Sequence, residues 1–444
     1  MNDKELFPKT LVLCQNKINQ FTGGGIVLSN LFGKVSPDRL MFFHRDVDYD
    51  DDSLFVEKRL NWRWLRFNLF NSIELFARWV VACLVFFKKP SWKDFKGILI
   101  QSCYFYFPRD VDQQVKEFNP DVLYAWCSDI LWAETIKSVA VRYDIPYVIH
   151  FMDNHVDLDP KSTLEMATFP IFKRELAKLV NKSVVLFTIS ESMGGSYQKR
   201  WGKPYEVYHG LIESNKWPLS NTRHLDNNSF KVAYTGSIED GQLLGLKDIA
   251  TALDKFISKG VDVKLILYLT PVYTQSVKSS LGSFRCVEIK LHPDFSSLRN
   301  ELLKADLLVL AFGFDEQTIN YYRYSFATKI VPYMLSGRPI LVYGPDEIEP
   351  VRYAIKGGWA SIVREHDVEL LFNTIKKLIS DKNERESLAK RAWMAGIAEH
   401  DLEKLDRVMG TSPVKYLCID VANGYSERFA TIVEQIRNKY AELI

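Results

Sequence analysis

What most limits the folds open to this chain is an alternation of strand-like and helix-like segments that runs through it twice, with one polar break between the rounds. Short apolar runs at 10–15, 40–44, 121–125, 147–151, 184–189 and 205–208 read as strands. Helical patterns at 26–32, 111–118, 130–142, 169–180 and 191–200 separate them. The break, 214–229, is rich in Asn, Ser, Asp and Arg and reads as an interdomain linker. A second round follows, with strands expected at 231–234, 263–269, 286–290, 307–311, 340–343 and 360–363. Such alternation implies the α/β class, in which parallel sheets are covered by helices. It divides the chain into two α/β domains, 1–215 and 228–400, and a helical tail, 401–444. In the tail, Tyr425, Phe429, Ile432, Val433, Ile436 and Tyr440 form one apolar stripe at helical spacing.

A chain of 444 residues with 47% hydrophobic and 25% charged residues has the length for two such domains. A net charge of +2 gives no overall footprint for nucleic acid, so any anion site must be local. Six cysteines are scattered without a CxxC pair, which points to buried thiols in a reducing cytoplasm. The opening MNDKELFPKT has no basic segment followed by an apolar core, so no signal peptide is expected. The longest uncharged apolar run, 79–87, is nine residues. A spanning helix needs about 20.

Chemistry concentrates first in 321–345, YYRYSFATKIVPYMLSGRPILVYGP. Tyr324 precedes two N-cap types, Ser325 and Thr328, ahead of a helix expected to run to Met334 and to end at Ser336-Gly337. Lys329 then falls in its first turn, where unpaired N–H groups and the helix dipole favour an anion, with a diphosphate as the natural guest. The same pattern also describes an ordinary αβ unit. In the first half, Gly23, Gly24 and Gly25 follow strand one and open an apolar helix. Glycines there let a backbone approach a ligand, although tight turns use them too. The strand at 147–151 exits through Met152-Asp153-Asn154-His155. Asp153 and His150 are the candidates for taking a hydroxyl proton or for stabilising developing positive charge, with a hydrogen-bonded core role the alternative for His150.

The run SFATKIVPYMLSGRPI resembles the donor-site signature of glycosyltransferase family 4. The resemblance implies the GT-B architecture, two Rossmann-like domains facing across a cleft, with the last helix either crossing back to the first domain or docked on its own. It implies a glycosyltransferase, independent of metal and of any cofactor, that moves a sugar from a nucleotide-diphosphate donor to a glycan or lipid-linked acceptor in surface polysaccharide biosynthesis. Its cleft would be lined by the Gly23–Gly25 loop. Its first donor loop would be Tyr234-Thr235-Gly236-Ser237, with the backbone N–H groups of Gly236 and Ser237 meeting the diphosphate. The base would be met near His292-Pro293-Asp294. Phe187-Thr188-Ile189-Ser190-Glu191 matches the family's strand and helix start, which an N-cap serine explains without catalysis.

Departures from the family pattern matter as much. Ser237 and Leu244 stand where relatives carry Arg and Lys, which leaves more of the phosphate charge to Lys329. Tyr324 and Pro332 stand where relatives carry glutamates, so ribose recognition falls to Tyr324, or to Asp315 and Glu316. A nucleotide-sugar epimerase on the same fold, or a degenerate binding subunit, are the rival functions.

No His, Asp and Glu cluster has metal-ligand spacing, and the acidic run 46–52 reads as a solvated loop. Segment 57–96 differs again, carrying nine basic residues against three acidic, interleaved with aromatics. That composition suits an anionic membrane surface on the inner face, or equally a buried helical pair with a solvated basic face.

Overall fold

The computed structural model describes residues 7–18, 23–45, 56–86, 89–157, 160, 162–208, 229–269, 271–292 and 295–395. The acidic run 46–52, most of the linker, His209-Gly210, Pro293-Asp294 and the tail lie outside these residues.

Strands in chain order are β1 (Thr10–Leu13), β2 (Leu40–His44), β3 (Val56–Arg59), β4 (Leu65–Phe67), β5 (Cys103–Phe105), β6 (Val122–Trp126), β7 (Tyr147–Phe151), β8 (Leu186–Thr188) and β9 (Tyr205–Val207) in the first half. The second half holds β10 (Phe230–Thr235), β11 (Val263–Leu269), β12 (Val287–Leu291), β13 (Leu307–Ala311), β14 (Ile340–Tyr343) and β15 (Ser361–Val363). Two sheets result, ordered β3-β2-β1-β6-β7-β8-β9 and β12-β11-β10-β13-β14-β15, and β4 pairs with β5 in a separate hairpin. Every pairing within the two large sheets is parallel. The two α/β halves expected from the alternation are present.

The second sheet is apolar on both faces, as a parallel sheet between two helical layers must be. Along β13, Leu308 and Leu310 enter one core cluster while Leu307, Val309 and Ala311 enter the other, and β10 divides its Ala233 from Val232 and Tyr234 in the same way. The first of these clusters continues across the boundary between the halves, joining Phe151 and Met193 to Phe326, Ile330 and Met334. The two halves therefore share packed apolar surface along a seam.

Segment 56–105 is where the structure departs most from expectation. It supplies an edge strand, the β4–β5 hairpin, and helices Leu69–Val85 and Trp92–Gln101. The first of these helices packs on Thr163–Lys182, a helix longer than the expected 169–180 and continuous through Pro170.

Candidate functional site

In each sheet the strand order reverses at one place, between β1 and β6 in the first and between β10 and β13 in the second. Crevices at such reversals, beyond the carboxyl ends of the strands, are where open α/β sheets hold ligands. The β10 exit carries Gly236 and Ser237, and Lys329 docks directly upon it. Its ammonium lies 3.8 Å from the centre of the Tyr234 ring, donates to the Tyr234 hydroxyl, and reaches the Ser237 carbonyl at 3.3 Å. Gly236 has φ +99°, a region that disfavours side chains, and a Cβ placed there would come within 3.6 Å of the Lys329 Nζ. The turn and the lysine are thus fitted to each other.

Desolvation pulls the Lys329 ammonium down to about pKa 7, and the nearby Glu239 carboxylate opposes that fall. Glu239 accepts from the Tyr273 hydroxyl at 3.0 Å and, with Gln242, forms the capping box of helix Asp240–Ser258. Sequence reasoning passed over Glu239, Tyr273 and the role of Tyr234 as platform. The Glu-x-x-Gln spacing ahead of an apolar helix was the available signal.

Several details of this half differ from expectation. The helix after the loop spans only Ile330–Leu335, so Lys329 occupies its N-cap position, and Ser325 does not cap it. The Ser325 hydroxyl instead donates to the Tyr321 carbonyl at 3.0 Å. The Gly236 N–H, expected to meet a diphosphate, is consumed by the Tyr268 carbonyl at 2.9 Å. Ser237, which is exposed, remains at the turn. His292 stands at the exit of edge strand β12, with its N–H given to the Leu269 carbonyl. Asp315 is committed to capping Thr318.

From the first half, Asp153 follows β7. Burial raises its pKa above the ordinary carboxylate range, against the pull of His155. Its charge is the foremost influence holding the Tyr321 phenol above its usual range, ahead of burial, with Glu239 and Tyr273 adding to it. One carboxylate from the first half, Asp153, therefore shares an electrostatic neighbourhood with Tyr321, Tyr273 and Glu239 of the second, and Glu239 also acts on Lys329.

His150 stands apart from this group. It is fully buried, its Nδ1 accepts from the Tyr124 hydroxyl at 2.5 Å, and its Nε2 donates to the Tyr208 carbonyl at 3.1 Å. Desolvation lowers its pKa to about 3, so it is a neutral core histidine with both nitrogens occupied. A catalytic place for it does not fit these surroundings.

Gly23, Gly24 and Gly25 form the first turn of helix Gly23–Phe32 rather than a loop before it. A Cβ on Gly24 would lie 2.7 Å from the Trp126 ring and 3.1 Å from the Asn16 side chain, so close helix–sheet packing accounts for that glycine. A Cβ on Gly23 would meet Thr328 at 3.7 Å, which puts the two predicted loops face to face across the seam.

The same seam is clasped by hydrogen bonds. Asn154 donates to the Asn320 carbonyl at 3.0 Å, and Ser190, which caps helix Glu191–Trp201, donates to the Tyr324 carbonyl at 2.7 Å. The Tyr324 hydroxyl accepts from Ser196 at 3.1 Å, and its ring meets Tyr197 edge-on at 6.4 Å. Tyr324 is thereby turned to the first half, away from the ribose role expected of it.

Comparison with known proteins places this geometry. No protein-family model matches the chain. Among solved structures, sucrose-phosphate synthase from Thermosynechococcus elongatus superposes with a TM-score of 0.59 at 11% identity, covering 91% of this chain and 100% of that one. The glycosyltransferase WaaG, involved in lipopolysaccharide biosynthesis, gives 0.57 at 12% identity over 91% of this chain and 100% of its own. Anabaena HepE in complex with UDP-glucose gives 0.55 at 14% identity over 90% and 99%. GMP reductases among the curated sequences match locally. GMP reductase 1 of Rattus norvegicus is 32% identical over 115 residues, 24% of this chain, and that of Homo sapiens is 33% identical over 115 residues. The chain spans 31% of the length of these relatives.

Proposed function

We propose that this chain, whose fold is that of the GT-B glycosyltransferases, transfers a glycosyl group from a nucleotide-diphosphate sugar to a hydroxyl of a glycan or lipid-linked acceptor, in surface polysaccharide biosynthesis on the cytoplasmic side. The observation that carries the reading is Lys329, seated on the β10 exit at a strand-order reversal, with the adjoining Thr328 lying against Gly23 of the opposite half. One structural neighbour, HepE, binds UDP and UDP-glucose in its solved structures. Five described cysteines are free thiols, which supports a reducing compartment.

In the proposed reaction the acceptor oxygen bonds to the anomeric carbon as the bond from that carbon to the diphosphate breaks. The diphosphate leaves with the electron pair, and its developing charge is met by the Lys329 ammonium and the Ser237 turn. Binding an anion restores the proton that burial makes Lys329 reluctant to hold, so the site is charged most fully when occupied. Asp153 accepts the proton of the acceptor hydroxyl, a task suited to a carboxylate whose basicity burial has raised. Lysine supplies the positive charge, so neither metal nor cofactor is required, and chelator should leave turnover unchanged.

The test is a thermal-shift screen of UDP, GDP, ADP, CDP and TDP, with GMP added because of the local match to GMP reductases. One nucleoside diphosphate should raise the melting temperature through mass action, and Lys329→Ala should abolish that rise. If no diphosphate shifts the transition, the donor site as described is wrong. Incubation with UDP-sugars alone separates the epimerase reading, since interconversion without acceptor would replace transfer as the function.

A further inference from the structure

Helix Leu69–Val85 inverts the usual arrangement of a surface helix. Its inward stripe contains Asn71 and Ser72 beside Leu75, Trp79, Ala82 and Cys83. Its outward stripe is apolar: Phe70 is 85% exposed, Ile73 62% and Leu84 69%. Val81 and Val85 are also exposed, and Arg78, the cation of that outward face, is paired with Glu74 at 3.1 Å. Helix Trp92–Gln101 extends the same surface with Trp92, which is 77% exposed.

Charge flanks this surface in the chain. Arg63 and Arg66 precede the first helix, Lys89 lies between the two, and Lys93 and Lys96 stand exposed on the second. The acids of the two helices are already spent internally. Glu74 is held by Arg174 at 3.0 Å and Asp94 accepts from Thr163 at 2.6 Å. The surface thus pairs a large apolar field with the cations of the segments that flank it in the chain, and with the exposed ring of Trp92. No helix among the described residues is long and apolar enough to cross a membrane. An apolar field flanked by cations, on a helix too short to span, is the chemistry of a face that lies in the headgroup layer. We infer that the outer face of Leu69–Val85, with the amino-terminal half of Trp92–Gln101, seats this protein on an anionic lipid surface.

Phe70, Ile73 and Leu84 enter the acyl boundary, while Lys89, Lys93 and Lys96 meet lipid phosphates. Both attractions are needed. Apolar contact alone would not discriminate between lipids, and the cations alone would be screened within a Debye length at physiological salt. The inference stands apart from glycosyl transfer, because binding is scored without donor or acceptor and its failure leaves the proposed reaction untouched.

Flotation of the full chain with vesicles tests it. The chain should float with equimolar phosphatidylcholine and phosphatidylglycerol, float at least about tenfold less with phosphatidylcholine alone, and detach progressively as salt is raised. Phe70→Ser combined with Leu84→Ser should lower binding at least about tenfold at unchanged circular dichroism and unchanged nucleotide thermal shift. Lys93→Glu with Lys96→Glu should remove the preference for anionic vesicles. Three results overturn the inference: no flotation with either vesicle, flotation of the serine variant equal to that of the natural chain, or a dimer of the natural chain that the serine variant converts to monomer. The last would assign the face to a second copy.

Discussion

The two halves bring opposite charges to the same seam under the same penalty. Lys329 arrives from the second half as a cation whose charge burial disfavours, and Asp153 arrives from the first as an anion whose charge burial also disfavours. Among the described residues neither is neutralised by a direct ion pair, unlike Asp112, which Arg142 holds at 2.7 Å far below its usual range. Asp112 shows what a structural charge looks like here, paired and fixed in its ionised form. The seam groups are held nearer to neutrality, which is a cost without a ligand and an asset with one. A duplicated fold thus yields a duplicated penalty with opposite sign, one suited to a leaving diphosphate and the other to a hydroxyl proton.

The sharpest way to break this pairing is Asp153→Asn. If Asp153 takes the acceptor proton, turnover should fall by about 10²- to 10⁴-fold with the nucleotide thermal shift preserved. A loss of both would make Asp153 a structural residue. Lys329→Ala comes next, with turnover at least about tenfold lower, the value of one charge-assisted hydrogen bond, and here the nucleotide shift should vanish too.

The pH dependence separates the two groups further. Lys329 is charged below its pKa of about 7, so affinity for a nucleoside diphosphate should fall about tenfold per pH unit above that value, until the raised pKa of the complex is reached. Measured against Lys329→Met, which should lack this fall, the slope isolates the lysine from titration of the phosphate. For stability the sign is set by the unfolded lysine, which ionises near 10.4. Between about 10 and 7 the unfolded chain binds more protons, so the cost of burying Lys329 grows as pH falls through that window and is constant below it. Lys329→Met should therefore be no less stable than the natural chain at neutral pH, by urea unfolding.

Smaller effects test the frame that holds the groups. Gly24→Ala should cost about 1–3 kcal/mol in urea unfolding, because the added methyl must displace the Trp126 ring. Tyr324→Phe removes the bond from Ser196 and should cost about 0.5–1.5 kcal/mol, with the Ser190 bond intact.

How far the sequence revealed this arrangement depended on burial. β10, β11, β13 and β14 were legible because their residues are apolar on both faces, which leaves few alternatives to a parallel core strand. β3, β4 and β5 were missed. They are short, and in β4 two of three residues, Arg66 and Phe67, are exposed, so no apolar run marks it. Lys329 was found through its neighbours in the chain, whereas its partners Tyr234 and Glu239 are remote in sequence and were joined to it only by folding. His150 shows the converse. A histidine beside an acid at a strand exit looked chemical, yet Tyr124 and the Tyr208 carbonyl, distant in the chain, occupy both its nitrogens. The serine ahead of Lys329 was read as a cap because local chemistry allows it, but the helix begins only at Ile330, and the hydroxyl instead donates back to the Tyr321 carbonyl.

The clasps from Asn154 and Ser190 both end on main-chain oxygens, those of Asn320 and Tyr324. A main-chain oxygen survives any replacement of its own side chain, so the latch between the lobes has a mutable side and an immutable one. Drift at positions 320 and 324 leaves both acceptors in place, whereas drift at 154 or 190 removes a donor and leaves the lobes to the Ser192 bond to Glu349 and the shared apolar seam.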